Sequence, residues 1–168
     1  MKARKILFYI FASIALAINV FIIVESCVGG EGSASQSFSF SESFADLIDS
    51  FNPDGVVVTD RIAFHSAIRK VVGHFLFFGL SGLFTTLAIL FNDFMRIKYK
   101  WKNLIFSGVF GLVIALISEL IQYFVPGRYG VMTDVLIDYS GYVLFMGLTY
   151  LFIYLLLIKR VDQKVAIQ

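Results

Sequence analysis

Four long apolar runs separated by polar segments dominate the chain: Ile6–Val24, Val71–Phe91, Leu104–Val125 and Val135–Ile158, each 19 to 24 residues long. At 1.5 Å per helical residue, about 20 such residues cross the ~30 Å hydrocarbon core of a bilayer. The pattern predicts an all-α, polytopic membrane protein, a four-transmembrane-helix bundle in one domain over residues 1–160, with a tail at 161–168. Residues 25–68 form the one long connection. Within it, Gly29-Gly30-Glu31-Gly32-Ser33-Ala34-Ser35-Gln36-Ser37 reads as a flexible linker. Phe44, Leu47, Ile48 and Phe51 then recur at helical spacing, with Asp46 and Asp49 off that stripe. They predict a short amphipathic helix whose apolar side packs against the bundle. Asn52-Pro53-Asp54-Gly55 predicts the turn that ends it. Pro126-Gly127 stops the third span, and the short Gly127–Asp134 connection makes spans three and four an antiparallel hairpin.

Composition narrows the class. With 58% hydrophobic and only 15% charged residues, the chain is neither a soluble enzyme, a disordered polymer nor a nucleic-acid binder. Charge placement then orients it. Lys2, Arg4 and Lys5 precede span one; Arg96, Lys98, Lys100 and Lys102 lie between spans two and three; Lys159, Arg160 and Lys164 follow span four. Ten of the 14 basic residues thus fall in three segments that four spans put on one side. By the positive-inside rule, the N-terminus and C-terminus are expected to be cytoplasmic and loop 25–68 extracytoplasmic. Cys27 is the only cysteine, which excludes an intrachain disulfide. A basic start, an apolar run and Cys27 have the outline of a lipoprotein signal. The run is longer than a signal's apolar core and Glu25 precedes the cysteine, so the first segment is expected to remain as a span.

Polar residues inside the spans carry the candidate chemistry. His74 lies about one turn into span two, Glu119 roughly 9 Å below the outer end of span three, and Asp138 one turn into span four. Gln122 follows Glu119 at i+3, and Asp134 precedes Asp138 by one turn. Arg69, Lys70 and Arg128 ring the same level. An isolated charge in hydrocarbon costs ~2.5–3.5 kcal/mol on the most lenient scale, so these groups need partners or water. They predict a polar cup open to the outside, with Glu119, Asp134 and Asp138 facing Arg69, Lys70, Arg128 and His74. Plainer roles stand beside it: Glu119 and Gln122 as a buried pair fixing the bundle, Arg128 and Asp134 as an ion pair at the start of a helix, and Arg69 and Lys70 as interfacial snorkellers. With only His65, expected to be exposed, as a second histidine, no metal and no cofactor are expected. Ser107, Gly111 and Ala115, at every fourth residue, form a stripe that lets another helix approach closely.

The run Ser118-Glu119-Leu120-Ile121-Gln122-Tyr123-Phe124-Val125-Pro126-Gly127-Arg128, followed by Asp134, Asp138 and Gly141, resembles the core motif of VanZ-like membrane proteins, E-x-x-Q-x-x-x-P-x-R and then D-x-x-x-N-x-x-G. The Ser-rich stretch after span one and Arg69-Lys70 with His74-Phe75 fit the same pattern. Asp138 stands where that pattern has Asn, and His74 follows Lys70 by four residues where three is commoner. The resemblance implies a bacterial plasma-membrane protein of the cell envelope related to one that confers low-level resistance to the glycopeptide teicoplanin. It brings no molecular activity with it. Three functions stay open. The leading one is a binding protein whose cup takes an envelope lipid or lipid-linked cell-wall precursor. The second is an enzyme using Glu119, Asp138 or His74 in acid–base chemistry on a lipid-linked phosphate or ester. The third is a transporter or lipid translocase, for which four spans without a repeat require a homo-oligomer.

Overall fold

The computed structural model describes residues 2–52, 58–92 and 100–165. The described residues are almost entirely helical: α1 (Lys2–Ser26), α2 (Gly30–Ser50), α3 (Arg61–Ile68), a π-helical turn (Arg69–Leu76), α4 (Phe77–Phe91), α5 (Lys100–Phe124) and α6 (Met132–Val165). Four helical stretches are long and apolar enough to cross a membrane: Lys2–Ser26, Arg61–Phe91, Trp101–Phe124 and Met132–Leu156. The second starts well before its apolar run, because α3, the π turn and α4 follow one another without a break. The rest of the expected Asn52–Gly55 turn, the segment around Arg96 and Lys98, and the side chains of Lys100, Lys159, Arg160 and Lys164 lie outside the described residues.

α1 packs chiefly on α4, α4 on α6, and α6 on α5. A small core of Ile22, Phe78, Ala115, Val135, Tyr142 and Met146 joins them. The stripe on α5 serves Tyr142. Gly111 faces its ring so closely that a methyl group would collide, and the hydroxyl of Ser107 lies 3.1 Å from the Tyr142 hydroxyl. The same Ser107 oxygen is 3.2 Å from Thr86, so α4, α5 and α6 meet at one polar knot. Asn19 of α1 bonds both within its helix, to Ala15 O at 2.7 Å, and across, accepting from Ser81 at 2.9 Å. At the opposite end from the π turn, Arg4 donates to the carbonyls of Leu90, Phe91 and Asn92 and so caps the end of α4.

Two expectations about the long connection are corrected. The Ser-rich stretch is no linker: it forms the first half of the 21-residue α2. Within it the hydroxyls of Ser37 and Ser43 donate to the carbonyls four residues back, which satisfies them without leaving the helix. Gly30 N also donates to Pro126 O at 3.1 Å, tying the start of α2 to the bundle. Of the bulky stripe only Ile48 is half-buried; the other three residues do not turn inward. Phe44, Leu47 and Phe51 are 41, 50 and 80% exposed, whereas the small Ser41 and Ala45 are buried against α3. Small side chains allow the short helices to approach. The displaced phenylalanines then present an apolar face that suits the bilayer interface. Across from it, Arg61 pairs with Asp49, Asp46 and Glu42 at 2.6, 3.0 and 3.4 Å, offsetting part of the charge on the acidic side of α2. His65 is half-buried rather than exposed, its Nδ1 2.6 Å from the Ser41 hydroxyl.

A methyl group on Gly141 would strike the main-chain carbonyl of Phe75 in the π turn, an obstacle that no rotamer change removes. Gly141→Val is therefore expected to cost about 1–3 kcal/mol, the usual range for overpacking. It should appear as a lowered thermal midpoint of the detergent-solubilised protein. Gly147→Val is the control, since an added carbon there meets nothing within 4 Å.

Candidate functional site

The π turn, the last turns of α5 and the first turns of α6 converge at the end of the bundle where α2 is tied down. A π turn holds one more residue than an α turn and occurs often at functional positions. It takes up the additional residue between Lys70 and His74 and delivers the imidazole to α6. His74 Nδ1 lies 2.9 Å from Asp138 Oδ1 and 3.9 Å from Glu119 Oε1; Nε2 lies 4.0 Å from Asp134 Oδ2. His74, Glu119 and Asp138 are 7, 4 and 0% exposed, so this is a desolvated cluster. Asp134, in the first turn of α6 where an acid favours the helix dipole, lies 3.5 Å from Lys70 Nζ at the rim.

A second chain of contacts leaves the cluster through Gln122. Its amide nitrogen donates to Glu119 Oε1 at 2.9 Å, and its oxygen accepts from Arg128 Nη2 at 2.6 Å. The other Glu119 oxygen accepts from Val131 N at 3.2 Å, fixing the carboxylate from both sides. Gly127, at φ +74°, turns the chain after α5 so that Arg128 folds back. Arg128 Nη1 donates to Glu25 O at 3.1 Å, to Ser33 Oγ at 3.3 Å and to Val28 O at 3.5 Å. The Arg128–Asp134 pair is not formed; the arginine instead clamps α1 and α2 onto the end of α5. Its Nε is buried without a hydrogen-bond partner. Burial, and then the positive charge of Arg69, lower the pKa of Arg128, whose guanidinium remains charged.

Beside the cluster lies a cavity of about 370 Å³, lined on its polar side by Glu25, Arg69, His74, Gln122 and Arg128 and on its apolar side by Phe21, Phe77 and other residues. Among the described residues, nothing is hydrogen-bonded or ion-paired to the Arg69 guanidinium. All eight candidate residues therefore occupy one end of the bundle, in two linked groups. Lys70, His74, Glu119, Asp134 and Asp138 form the acidic cluster; Arg69 and Arg128 form a basic wall, and Gln122 bridges them. Sequence reasoning missed Ser26, Ser33 and Ser118. Ser26 and Ser118 share a 2.7 Å hydrogen bond between α1 and α5, and all three line the cavity. Ser118 adjoins Glu119 within the motif, and that adjacency is the one signal that pointed to it.

An all-helical membrane-type bundle with a buried histidine–carboxylate cluster beneath a basic cavity is thus the class of protein. The chain belongs to the VanZ/LLP1 family, whose model matches residues 7–154. No curated protein and no solved structure matches it.

The His74–Asp138 contact generates a graded prediction. Asp138→Asn keeps a group able to bond Nδ1, whereas Asp138→Leu leaves the imidazole nitrogen buried and unpaired, at a cost of about 1–3 kcal/mol. Thermal unfolding in detergent should rank wild type and Asp138→Asn close together and Asp138→Leu clearly below them.

Proposed function

We propose that this protein is a multi-pass protein of the bacterial plasma membrane, both termini cytoplasmic, whose outward-facing cavity binds the anionic head group of an envelope lipid or lipid-linked cell-wall precursor. The unpaired Arg69 guanidinium, facing an apolar-walled cavity that Arg128 also lines, is the observation that carries this reading. Two guanidinium groups share a partly desolvated space with a single carboxylate, Glu25, so a net positive charge is left for an anion to offset. Guanidinium groups suit phosphate in particular because they donate two parallel hydrogen bonds. The cavity volume matches a head group, within the usual 300–1,000 Å³ of small-molecule sites. Acyl chains would remain in the bilayer. The concentration of basic residues in the segments at the other end of the bundle supports the outward orientation. Occupancy of the site by a precursor would lower susceptibility to teicoplanin-type glycopeptides.

One observation favours a second reading. His74 lines the same cavity while bonded to Asp138, an arrangement in which a carboxylate orients an imidazole for proton transfer. An enzyme acting on a lipid-linked phosphate or ester would use that pair. Turnover of labelled precursors by the purified protein, lost in His74→Gln, decides for it; binding without turnover decides against it.

Arg69→Ala should weaken retention of a co-purifying anionic lipid by about 10- to 100-fold, as expected for loss of a charge-assisted hydrogen bond. Native mass spectrometry of protein reconstituted with phosphatidylglycerol or lipid-linked precursor reads it, and added salt should weaken the wild-type complex. In a host whose teicoplanin susceptibility depends on the protein, Arg128→Ala and Glu119→Gln should restore susceptibility. Wild-type behaviour of both, at equal expression, would remove the binding reading.

A further inference from the structure

Glu119, Asp134 and Asp138 put three carboxylates around one imidazole, and each must be neutralised within or next to an apolar bundle. Lys70, half-exposed at the rim, meets Asp134 alone. Arg128 reaches Glu119 only through the neutral amide of Gln122. Among the described residues, neither Glu119 nor Asp138 is ion-paired to a lysine or an arginine; the one basic group each meets is the imidazole of His74.

The geometry supplies what would balance them. One ligand atom from each of His74, Glu119 and Asp134 can be chosen so that all three lie within 4.8 Å of one another. Bonds of 2.0–2.2 Å to a shared ion in tetrahedral geometry put ligand atoms roughly 3.3–3.6 Å apart, so contraction of up to about 1.5 Å closes the set. Asp138 adds the part that isolated acidic clusters lack. Its Oδ1 holds His74 Nδ1 at 2.9 Å, which leaves Nε2, on the Asp134 side, with its lone pair. Metal-binding histidines are usually oriented by such a carboxylate on the far ring nitrogen. Glu119 is likewise steadied, by Gln122 and by Val131 N. Asp138 Oδ2 is buried with no hydrogen-bond partner among the described residues, and Asp138 is fully buried; Asp134 Oδ1 has only the long 3.5 Å ion pair with Lys70. Unsatisfied buried acceptors next to a preformed donor set are what a cation would resolve.

We propose that His74, Glu119 and Asp134 bind one divalent cation, with Asp138 orienting the histidine as a positioning residue. One imidazole nitrogen with carboxylate oxygens selects a borderline ion of the Zn²⁺ or Mn²⁺ kind over Ca²⁺ or Mg²⁺, which prefer all-oxygen sets. A count of histidines does not reveal this site, because its single histidine is joined by carboxylates from two other helices. The site goes beyond the head-group reading and does not depend on it.

The test uses the full-length protein in nanodiscs, purified without a histidine tag, stripped with chelator and titrated with Zn²⁺ alone, then with Mn²⁺ alone. Saturable binding of one ion per chain is expected. X-ray absorption of the Zn²⁺ form should show a single imidazole among oxygen donors. Glu119→Gln and Asp134→Asn should each weaken binding at least tenfold, and Asp138→Asn about 10- to 100-fold, the usual effect of removing an orienting partner. Asp134→Asn lies at the rim, and its thermal midpoint should stay near wild type, so it decides the matter if a deeper variant fails to fold. Arg69→Ala should lose anionic lipid yet keep the ion, which separates failure of one proposal from failure of the other. Absence of stoichiometric binding by both ions, or unchanged affinity in Glu119→Gln and Asp134→Asn, overturns the proposal.

Discussion

Everything at the polar end of this protein follows from burying an imidazole and two carboxylates, with a third at the rim, where water is scarce. Each such group costs several kcal/mol to desolvate alone, and the cost falls only when groups are brought into mutual contact. His74, Glu119 and Asp138 come from three different helices, so meeting that requirement fixes how those helices sit. The same condition explains why Gln122 and Arg128 take part: an amide and a guanidinium carry the network outward until it reaches backbone carbonyls of α1 and the hydroxyl of Ser33. The network is therefore both the fastening of the bundle and the lining of its cavity.

Packing makes the contact reachable. Gly141 lets the backbone of the π turn lie against α6, and Tyr142, one residue on, fills the space over Gly111. Those two neighbours set the height and rotation of α6, which in turn aims Asp138 at the ring of His74. The π turn contributes the remaining rotation. Without it, a histidine four residues beyond Lys70 on a regular helix would stand about 100° away from one three residues beyond. An irregular backbone turn is thus what reconciles the spacing in this chain with a working contact.

The four spans were legible because hydrocarbon imposes a length and a composition, and both are local properties. The residues that cluster were legible for the opposite reason: Glu119, Asp138 and His74 stand out as costly exceptions within apolar runs. What escaped was decided by contact rather than by composition. Ser33 and its neighbours have the composition of a linker, but the Gly30–Pro126 and Arg128–Ser33 contacts tie the start of their helix to the bundle. The stripe of Phe44, Leu47 and Phe51 was visible, yet not the direction it faces. That direction depends on the small Ser41 and Ala45 admitting α3. Arg128 and Asp134 are close in sequence and opposite in charge, but the turn at Gly127 sends the arginine the other way, to Glu25 and Ser33. The π turn leaves no mark in hydropathy at all.

The central claim is that His74 and Asp138 are directly coupled within a desolvated cluster, and a double-mutant cycle measures that coupling. Unfolding free energies of wild type, His74→Ala, Asp138→Ala and the double variant would be compared in one detergent. A coupling energy of about 1–3 kcal/mol is predicted, in the range measured for residues in contact within one network. Additive effects of the two substitutions would contradict the account.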